Sequence, residues 1–263
     1  MYKVISSETS LIYCKKADLF YEENKKNLKN GEILAVLDFS ENYKFVVQNA
    51  SQAFHFNNDQ CTIFPIVYYY KEESEIKHKS LIFLSDCTKH DTAAVFTIQK
   101  QLVPYLVKKH RAKHLIYSTD GAKQHFKNRF QMANLVQHKA DFGITAEWHH
   151  HATAHGKGPS DGLGAVFKRE AARYCLMCKP NDAILTCKRL FDWSKTRFSD
   201  EIKTFYYTKE DHQKMDRHLK GKRFKDYAPA VPQISKNHAF LVKKDQLIIK
   251  KYSDASENTD LYY

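Results

Sequence analysis

Three acidic residues lie at matching places along the chain, and together they suit metal-assisted chemistry. Asp38 ends the apolar run Ile33–Leu37. Asp120 follows the apolar run His114–Tyr117, and Asp161 opens a predicted helix. Two carboxylates held close together repel each other unless a cation lies between them. Mg²⁺ and Mn²⁺ prefer oxygen ligands, and two such ions about 4 Å apart stabilise the entering and leaving oxygens of phosphoryl transfer.

Each acid also has an interpretation without catalysis. Asp38 can belong to an Asp-Ser turn after a core strand. Asp161 can be a simple helix N-cap, because the helix dipole favours a negative charge at that end. Glu147 is a rival for the third acid, although it lies inside a predicted strand and close to Asp120 in sequence.

The spacing of apolar residues predicts the elements that position these acids. Three strands come first, and strands and helices then alternate. The predicted strands are Ile33–Leu37, Thr62–Tyr70, Leu81–Leu84, His114–Tyr117 and Gly143–Trp148. This order indicates a mixed five-stranded α/β sheet flanked by helices, with its first three strands antiparallel. The first and fourth strands are expected to be neighbours, which would place Asp38 beside Asp120.

Three helices are predicted between and after these strands. The first is capped by Asp91 or Thr92, and Pro104 is expected to kink it or end it early. The second covers Lys123–His138, whose apolar residues share one helical face, and the third begins near Asp161.

Length, composition and net charge limit the type of protein that this chain can be. The chain has 263 residues, of which 43% are hydrophobic, so we expect one large domain or one domain with additions. No apolar run is long enough to span a membrane. The net charge of +12, concentrated in Lys188–Lys251, favours a polyanionic partner such as nucleic acid.

The cysteines and the N-terminus indicate an intracellular protein. The first residues lack the features of a signal peptide, so the six cysteines are expected to be reduced thiols. Cys175 and Cys178 form a C-x-x-C with Cys187 nearby, but a fourth ligand is not evident. We therefore expect buried thiols here rather than a zinc site.

The chain divides by composition into four parts. They are a lead-in at residues 1–30, an α/β domain at 31–178, a basic C-terminal region at 179–252 and a disordered acidic tail at 253–263. Within the basic region, Thr208 and Asp211 resemble a capping box. The segments Ala239–Val242 and Leu247–Lys250 are predicted to form a hairpin.

The order of these elements and acids resembles the ribonuclease H-like core of DDE transposases and retroviral-type integrases. The stretch ADFGITAEWHHHATAHGKGPSDGLGAVFKREAARY resembles their pattern of a strand, a Gly-rich loop and a helix that opens with the third acid. The runs DFSENY, SDCTKHDT, STDGAKQHFKNR, FGITAEWHHHATAHGKGPSDGLG and VFKRE resemble a group of transposon-derived proteins of animal genomes. The resemblance covers residues 31–177 well and the C-terminal third loosely.

The resemblance implies a function, a cofactor and a partner. Asp38 and Asp120 would hold a metal ion between them, and Asp161 would complete a second site, with Mg²⁺ or Mn²⁺ as the two ions. The protein would be a metal-dependent polynucleotidyl transferase or nuclease that cleaves or joins DNA phosphodiesters. It would act in the nucleus on DNA, with a homo-oligomer as a further expectation. The alternative is a domesticated, catalytically inactive descendant that only binds DNA.

Basic residues near the acids are the predicted DNA contacts. Lys168 lies two helical turns after Asp161 on the same face, like the basic residue that integrase-like helices direct at phosphate. Lys157 lies in the Gly-rich loop, where the backbone can approach a phosphate closely. The other candidates are Lys123, Lys127 and Arg169. Each has the plain alternative of a solvated side chain.

Four histidines surround the same loop, namely His149, His150, His151 and His155. They could include a metal ligand or a proton carrier, with His155 as the accessory candidate beside Glu147. A polar loop without a chemical role is the simpler interpretation.

Overall fold

The computed structural model describes residues 21–46, 59–151, 158–199, 201–226, 228–251 and 259–262. Residues 21–26 are helical and lead into a large sheet. The strands are β1 (Glu32–Leu37), β2 (Tyr43–Lys44), β3 (Gln60–Glu72), β4 (Glu75–Ser85), β5 (His114–Thr119), β6 (Thr145–His150), β7 (Ile202–Tyr207), β8 (Ala239–Lys243), β9 (Gln246–Lys250) and β10 (Thr259–Tyr262). Within these ranges no helix has both the length and the apolar character needed to cross a bilayer.

The five predicted strands form the centre of one mixed sheet in the order β4-β3-β1-β5-β6. β1, β3 and β4 are antiparallel neighbours, whereas β5 is parallel to β1 and β6 is parallel to β5. The predicted strand order is therefore confirmed, including the adjacency of the first and fourth strands. This is the arrangement expected of a ribonuclease H-like core.

The sheet is larger than the five strands predicted. Nine strands follow one another in the order β10-β9-β8-β6-β5-β1-β3-β4-β7, and β2 pairs with β3 in addition. The basic C-terminal region supplies β7 at one edge and β8 and β9 at the other, where the tail adds β10. Its apolar residues Phe240 and Leu247 are fully buried in the same core as the central strands, which explains why the region joins the sheet.

The predictions for the C-terminal hairpin and the residues around it are confirmed in part. β8 and β9 pair as the predicted hairpin, and Thr208 and Asp211 form the predicted capping box. Thr259–Tyr262 pairs with β9, which differs from the disorder expected at these four residues. Residues 252–258 lie outside the described ranges.

The helices pack on both faces of the sheet. They are α1 (Thr92–His110), α2 (Arg129–Val136), α3 (His138–Phe142), α4 (Pro159–Met177), α5 (Cys187–Phe198), α6 (Lys209–His218) and, after a π-helical turn at Leu219–Arg223, α7 (Phe224–Asp226). Asp91 caps α1 as predicted, since its side chain accepts a hydrogen bond from the Ala94 N–H at 2.9 Å. Pro104 does not end this helix early, because the buried side chains of Val103 and Leu106 hold both sides of it in the core.

The second predicted helix is shorter than expected. It begins at Arg129 instead of Lys123, because Asn128 is extended and its side chain accepts a hydrogen bond from the Gln131 N–H at 2.9 Å. Phe126 is nevertheless buried, as its apolar spacing indicated. The segment between Asp120 and Asn128 is therefore a loop at the end of β5.

Side chains alternate between the two faces of the sheet along each strand, and each face has its own apolar core. In β1, Ile33, Ala35 and Leu37 face one core, and Leu34 and Val36 face the other. α1 and α2 cover the first face, whereas Phe167 of α4 packs on the second. Asp38 continues the row of Leu34 and Val36 and so faces the side of the sheet that α4 covers.

The structure corrects the expectation that all cysteines are reduced. Cys61 and Cys187 form a disulfide with their Cα atoms 5.3 Å apart, because the start of β3 and the first turn of α5 meet in one core. Cys175 is a buried free thiol, as expected, and Cys178 is a partly buried one.

Candidate metal centre

Asp38 and Asp120 come together at the carboxyl ends of two neighbouring parallel strands. Val36 of β1 pairs with Ser118 of β5, so the residues two positions further along lie side by side on the same face. Carboxylate oxygens of Asp38 and Asp120 and a ring nitrogen of His125 all lie within 4.8 Å of one another. The structure thus brings together two of the predicted acids and one residue that was not predicted.

The Asp38 carboxylate is in an unfavourable place for a negative charge. Burial and then the Asp120 charge raise its pKa to about 7, while the Phe39 N–H that donates to Oδ1 at 2.7 Å opposes the shift. A carboxylate in this position is stabilised in its ionised form by a cation. The environment of Asp38 therefore fits a bound divalent ion.

The Asp120 carboxylate is held in place by its own loop. Its Oδ1 accepts a hydrogen bond from the Ala122 N–H at 3.1 Å. Its backbone carbonyl lies 2.9 Å from Nδ1 of His150 and accepts a hydrogen bond from the Thr119 hydroxyl at the same distance. These contacts fix the turn in which Asp120 faces Asp38.

Asp161 lies in the first turn of α4, outside the group of atoms within 4.8 Å. Its Oδ2 accepts a hydrogen bond from the Gly158 N–H at 3.0 Å, so Asp161 is not the N-cap considered from the sequence but caps the N-cap residue Gly158 from the third helical position. Its charge also contributes to the raised pKa of Asp38. Asp161 is therefore both a cap and a near neighbour of the site.

Helix α4 is seated directly on the loop that follows β1. A Cβ atom at Gly164 would overlap the Ser40 hydroxyl, so the absence of a side chain allows the helix to approach this closely. One turn further, the Lys168 ammonium donates to the Glu41 carbonyl at 3.0 Å. These contacts position Asp161 over the site, and they also explain why Lys168 bonds to the protein itself.

We expect Gly164→Ala to lower the free energy of unfolding by about 1 kcal/mol relative to Gly162→Ala, because overpacking a tight contact typically costs about 1–3 kcal/mol. Gly162 is the matched control, since it lies in the same helix and, among the described residues beyond its own helical turn, no atom lies within 4 Å of an added Cβ. Ser40→Ala should restore stability to the Gly164 variant by removing the overlapping hydroxyl. Urea unfolding of the wild-type chain and these three variants measures this, and equal midpoints for Gly164→Ala and Gly162→Ala would contradict the close contact.

Glu147, the rival third acid, belongs to a different cluster. It lies on β6 level with Ile116, four residues before Asp120 along the neighbouring strand. Its carboxylate contacts His149 at 3.0 Å and lies 3.7 Å from His114. Burial alone would raise the pKa of Glu147, but these two histidines lower it to about 2.

The predicted basic residues differ in their surroundings. Lys127 is buried, and its ammonium donates to the Ser235 carbonyl at 3.1 Å, so it is not a surface residue available to DNA. Burial also lowers the pKa of Lys127 to about 8. Lys123 and Arg169 are exposed, whereas the predicted sites Lys157 and His155 lie outside the described residues.

His125 is the residue that the sequence analysis missed. Its ring lies 4.8 Å from the Phe39 ring and 4.3 Å from the Phe126 ring, and burial lowers its pKa to about 4. We assigned it to a helix because the apolar spacing after Lys123 fits one helical face. The Asp-Gly turn at the start of this segment and Asn128 as an N-cap are the signals that would have placed it in a loop beside Asp120.

Comparison with solved structures finds similar folds at low identity. The Mos1 transposase paired-end complex with left transposon end is 14% identical with a TM-score of 0.41, over 83% of this chain and 61% of that chain. A pre-cleavage Mos1 transpososome is 12% identical with a TM-score of 0.35, over 86% and 65%. The human cytomegalovirus terminase nuclease domain, Mn soaked and inhibitor bound, is 12% identical with a TM-score of 0.29, over 82% and 85%.

This chain spans less than two thirds of the length of the Mos1 transposase chains that it matches. The curated proteins contain no match. The chain belongs to the family described as domain of unknown function DUF8701, whose model matches residues 17–253.

Proposed function

We propose that this protein is a metal-dependent polynucleotidyl transferase or nuclease that cleaves or joins DNA phosphodiesters. The observation that carries the proposal is the convergence of the Asp38 and Asp120 carboxylates, within 4.8 Å, at the carboxyl ends of adjacent strands. The raised pKa of Asp38 supports it, because a cation would relieve the repulsion between the two acids.

The residues have separate tasks in the proposed reaction. Asp38 and Asp120 would hold one ion between them, and Asp161 would complete a second site from the first turn of α4. When bound, Mg²⁺ or Mn²⁺ would activate the attacking water or 3′-hydroxyl and stabilise the leaving oxyanion. Because attack on the phosphorus is direct, no protein side chain needs to form a covalent intermediate.

A basic cleft beside the Asp120 loop supports DNA as the partner. The cleft has a volume of about 610 Å³, and its lining includes four basic residues and two acidic ones, namely Lys123, Arg129, Lys220, Lys225, Asp91 and Asp216. The Lys220 ammonium is bonded to Asp216 at 2.8 Å, so it is partly neutralised. Phe130 and Phe224 form an aromatic pair in the same wall, with ring centroids 4.6 Å apart. Phosphates are attracted to such cations, and bases can stack on accessible aromatic rings; both rings here are partly exposed.

Replacement of Lys123 and Arg129 by alanine is expected to weaken DNA binding in a salt-dependent way. If each contacts one phosphate, the slope of log affinity against log salt should fall by about 2. Lys79→Ala is the control, because this exposed lysine lies on β4 towards the β3–β4 turn, far from the Asp120 loop. Fluorescence anisotropy with a labelled duplex measures the slope, and an unchanged slope in the double variant would exclude this cleft as a DNA contact.

Incubation of labelled DNA with the protein tests the reaction itself. Strand cleavage or joining with Mg²⁺ or Mn²⁺, and none with EDTA, is the expected result. Salt-dependent binding without any metal-dependent change in the DNA would instead favour the alternative, a DNA-binding descendant that has lost the reaction. The nuclear location, the homo-oligomer and the relationship to animal transposon-derived proteins remain part of this proposal.

A further inference from the structure

We propose that His125 is a direct ligand of the ion held by Asp38 and Asp120, and that this ligand makes the site prefer Mn²⁺ to Mg²⁺. The inference rests on the proposed function, because it concerns the same metal centre. It goes beyond that function by adding a nitrogen ligand to a site predicted to consist of acids alone.

The distances suit shared coordination. A ring nitrogen of His125 and one oxygen from each of Asp38 and Asp120 lie within 4.8 Å of one another. Ligands about 2.1 Å from one ion in octahedral geometry are about 3.0 Å apart when adjacent and about 4.2 Å apart when opposite. Side-chain movements of less than about 1 Å would therefore bring all three atoms to bonding distance.

The His125 ring lacks partners of its own. The residue is only 9% exposed, and neither ring nitrogen has a hydrogen bond of good geometry within the part of the chain that the structure describes, although the His90 backbone is near enough to oppose the lowering of the His125 pKa. Buried polar atoms almost always have a partner, and an unsatisfied one costs about 1–3 kcal/mol. A metal ion would supply the missing partner on the side that faces the two carboxylates.

The residues that follow His125 hold it in place. Phe126 is fully buried and lies against Trp148 with ring centroids 5.9 Å apart. The Lys127 ammonium is anchored to the Ser235 carbonyl, and Asn128 caps α2. The position of the imidazole beside the acids is thus set by the three residues that follow it.

An imidazole ligand changes which ion is favoured. Mn²⁺ shares the preference of Mg²⁺ for oxygen ligands but, as a transition metal, accepts an imidazole nitrogen more readily than Mg²⁺ does, because Mg²⁺ demands near-ideal geometry and retains its water molecules. The contribution of His125 to Mn²⁺ binding should therefore exceed its contribution to Mg²⁺ binding. A histidine that served only to fill space between Phe39 and Phe126 would affect neither ion directly.

Pulsed electron paramagnetic resonance of the full chain loaded with Mn²⁺ tests the bond itself. The wild-type spectrum should contain nitrogen-14 coupling from a directly bound imidazole. His125→Asn should lose this coupling, and His78→Asn, which removes an exposed histidine on β4, should keep it. Circular dichroism checks that each variant is folded, and His125→Gln is a second variant for the same measurement.

Calorimetric titration measures the selectivity of the site for Mn²⁺ over Mg²⁺. His125→Asn is expected to weaken Mn²⁺ binding by about 10-fold or more, and Mg²⁺ binding by less than about 3-fold, because nitrogen contributes more to the transition metal. Equal weakening of both ions, or no nitrogen coupling in the wild-type protein, would overturn the inference. The absence of nitrogen coupling from the wild-type spectrum would overturn the inference whether or not the variants fold.

Asp38→Asn separates this inference from the proposed function. If that variant loses Mn²⁺ affinity while the wild-type spectrum lacks nitrogen coupling, only the role of His125 is wrong. If Asp38→Asn binds both ions as tightly as the wild-type chain does, the carboxylate site and the proposed function are wrong as well.

Discussion

Asp38→Asn is expected to lower the rate of metal-dependent DNA cleavage or joining by about 10²–10³-fold or more, since the loss of one preorganised electrostatic group at a reaction centre typically has this effect. Asparagine keeps the size of the side chain and can still accept the hydrogen bond from the Phe39 N–H. It lacks the charge that would hold the ion beside Asp120. The loss should therefore appear in the reaction and not in the fold.

Asp245→Asn is the matched control for this substitution. Asp245 lies in the turn between β8 and β9 with φ of 62°, a conformation that asparagine tolerates well. Activity should be unchanged in this variant when both proteins are assayed on labelled DNA with Mn²⁺. Full activity in Asp38→Asn would show that the reaction, if present, occurs elsewhere.

In the metal-free protein, the Asp38 carboxylate is expected to lower the free energy of unfolding at neutral pH. The folded-state pKa of Asp38 is raised to about 7, above the value of about 3.9 for an unfolded chain. Between these values the folded state binds a proton that the unfolded state has released. The contribution of Asp38 to the free energy of unfolding therefore falls as the pH rises from about 4 through 7.

Asp38→Asn should remove this penalty. Above pH 7, in EDTA, we expect the variant to be more stable than the wild-type chain by about 1–2 kcal/mol; the full shift corresponds to about 4 kcal/mol, and the partial exposure of the side chain reduces it. The difference between the two proteins should vanish near pH 4. Urea unfolding across this range measures it.

Metal ions provide the complementary measurement. Mn²⁺ should stabilise the wild-type chain above pH 7 by mass action and should have little effect on Asp38→Asn. Other groups also titrate, such as His138, whose pKa burial lowers to about 4, so the comparison of the two proteins is what isolates Asp38. A wild-type chain that is more stable than the variant at pH 8 in EDTA would contradict the proposed electrostatics.

The central sheet and its two facing acids could be predicted because the signals are local. Apolar runs such as Ile33–Leu37 fit buried strands, and the acids that follow them lie where parallel strands end. The parallel register of β1 and β5 then places Asp38 beside Asp120. Each of these steps uses residues close together in sequence or a general rule for strand order.

Of the outer strands, only β8 and β9 could be predicted, and their place in the sheet could not. The hairpin of β8 and β9 was evident from its pattern, but its attachment to β6 depends on pairing across about ninety residues, with Phe240 opposite Trp148. The contact between Cys61 and Cys187 has the same long-range origin. No local pattern specifies which sheet edge a distant strand will join.

His125 was missed for a different reason, which is a competition between two local signals. Phe126, Phe130 and Ala133 repeat at helical spacing, and this favoured a helix from Lys123. The side chain of Asn128 ends that possibility by capping α2 at its own position. The cap places His125 in a loop, and there its ring approaches the two acids.

The position of a bound ion tests the central claim most directly. Crystals of the full chain soaked with Mn²⁺ should show an anomalous peak about 2.1 Å from carboxylate oxygens of both Asp38 and Asp120, a distance typical of small divalent ions with oxygen ligands. A second peak beside Asp161 would indicate the two-ion arrangement. A Mn²⁺ ion bound only elsewhere in the molecule, with the Asp38 and Asp120 carboxylates free of metal, would contradict the account.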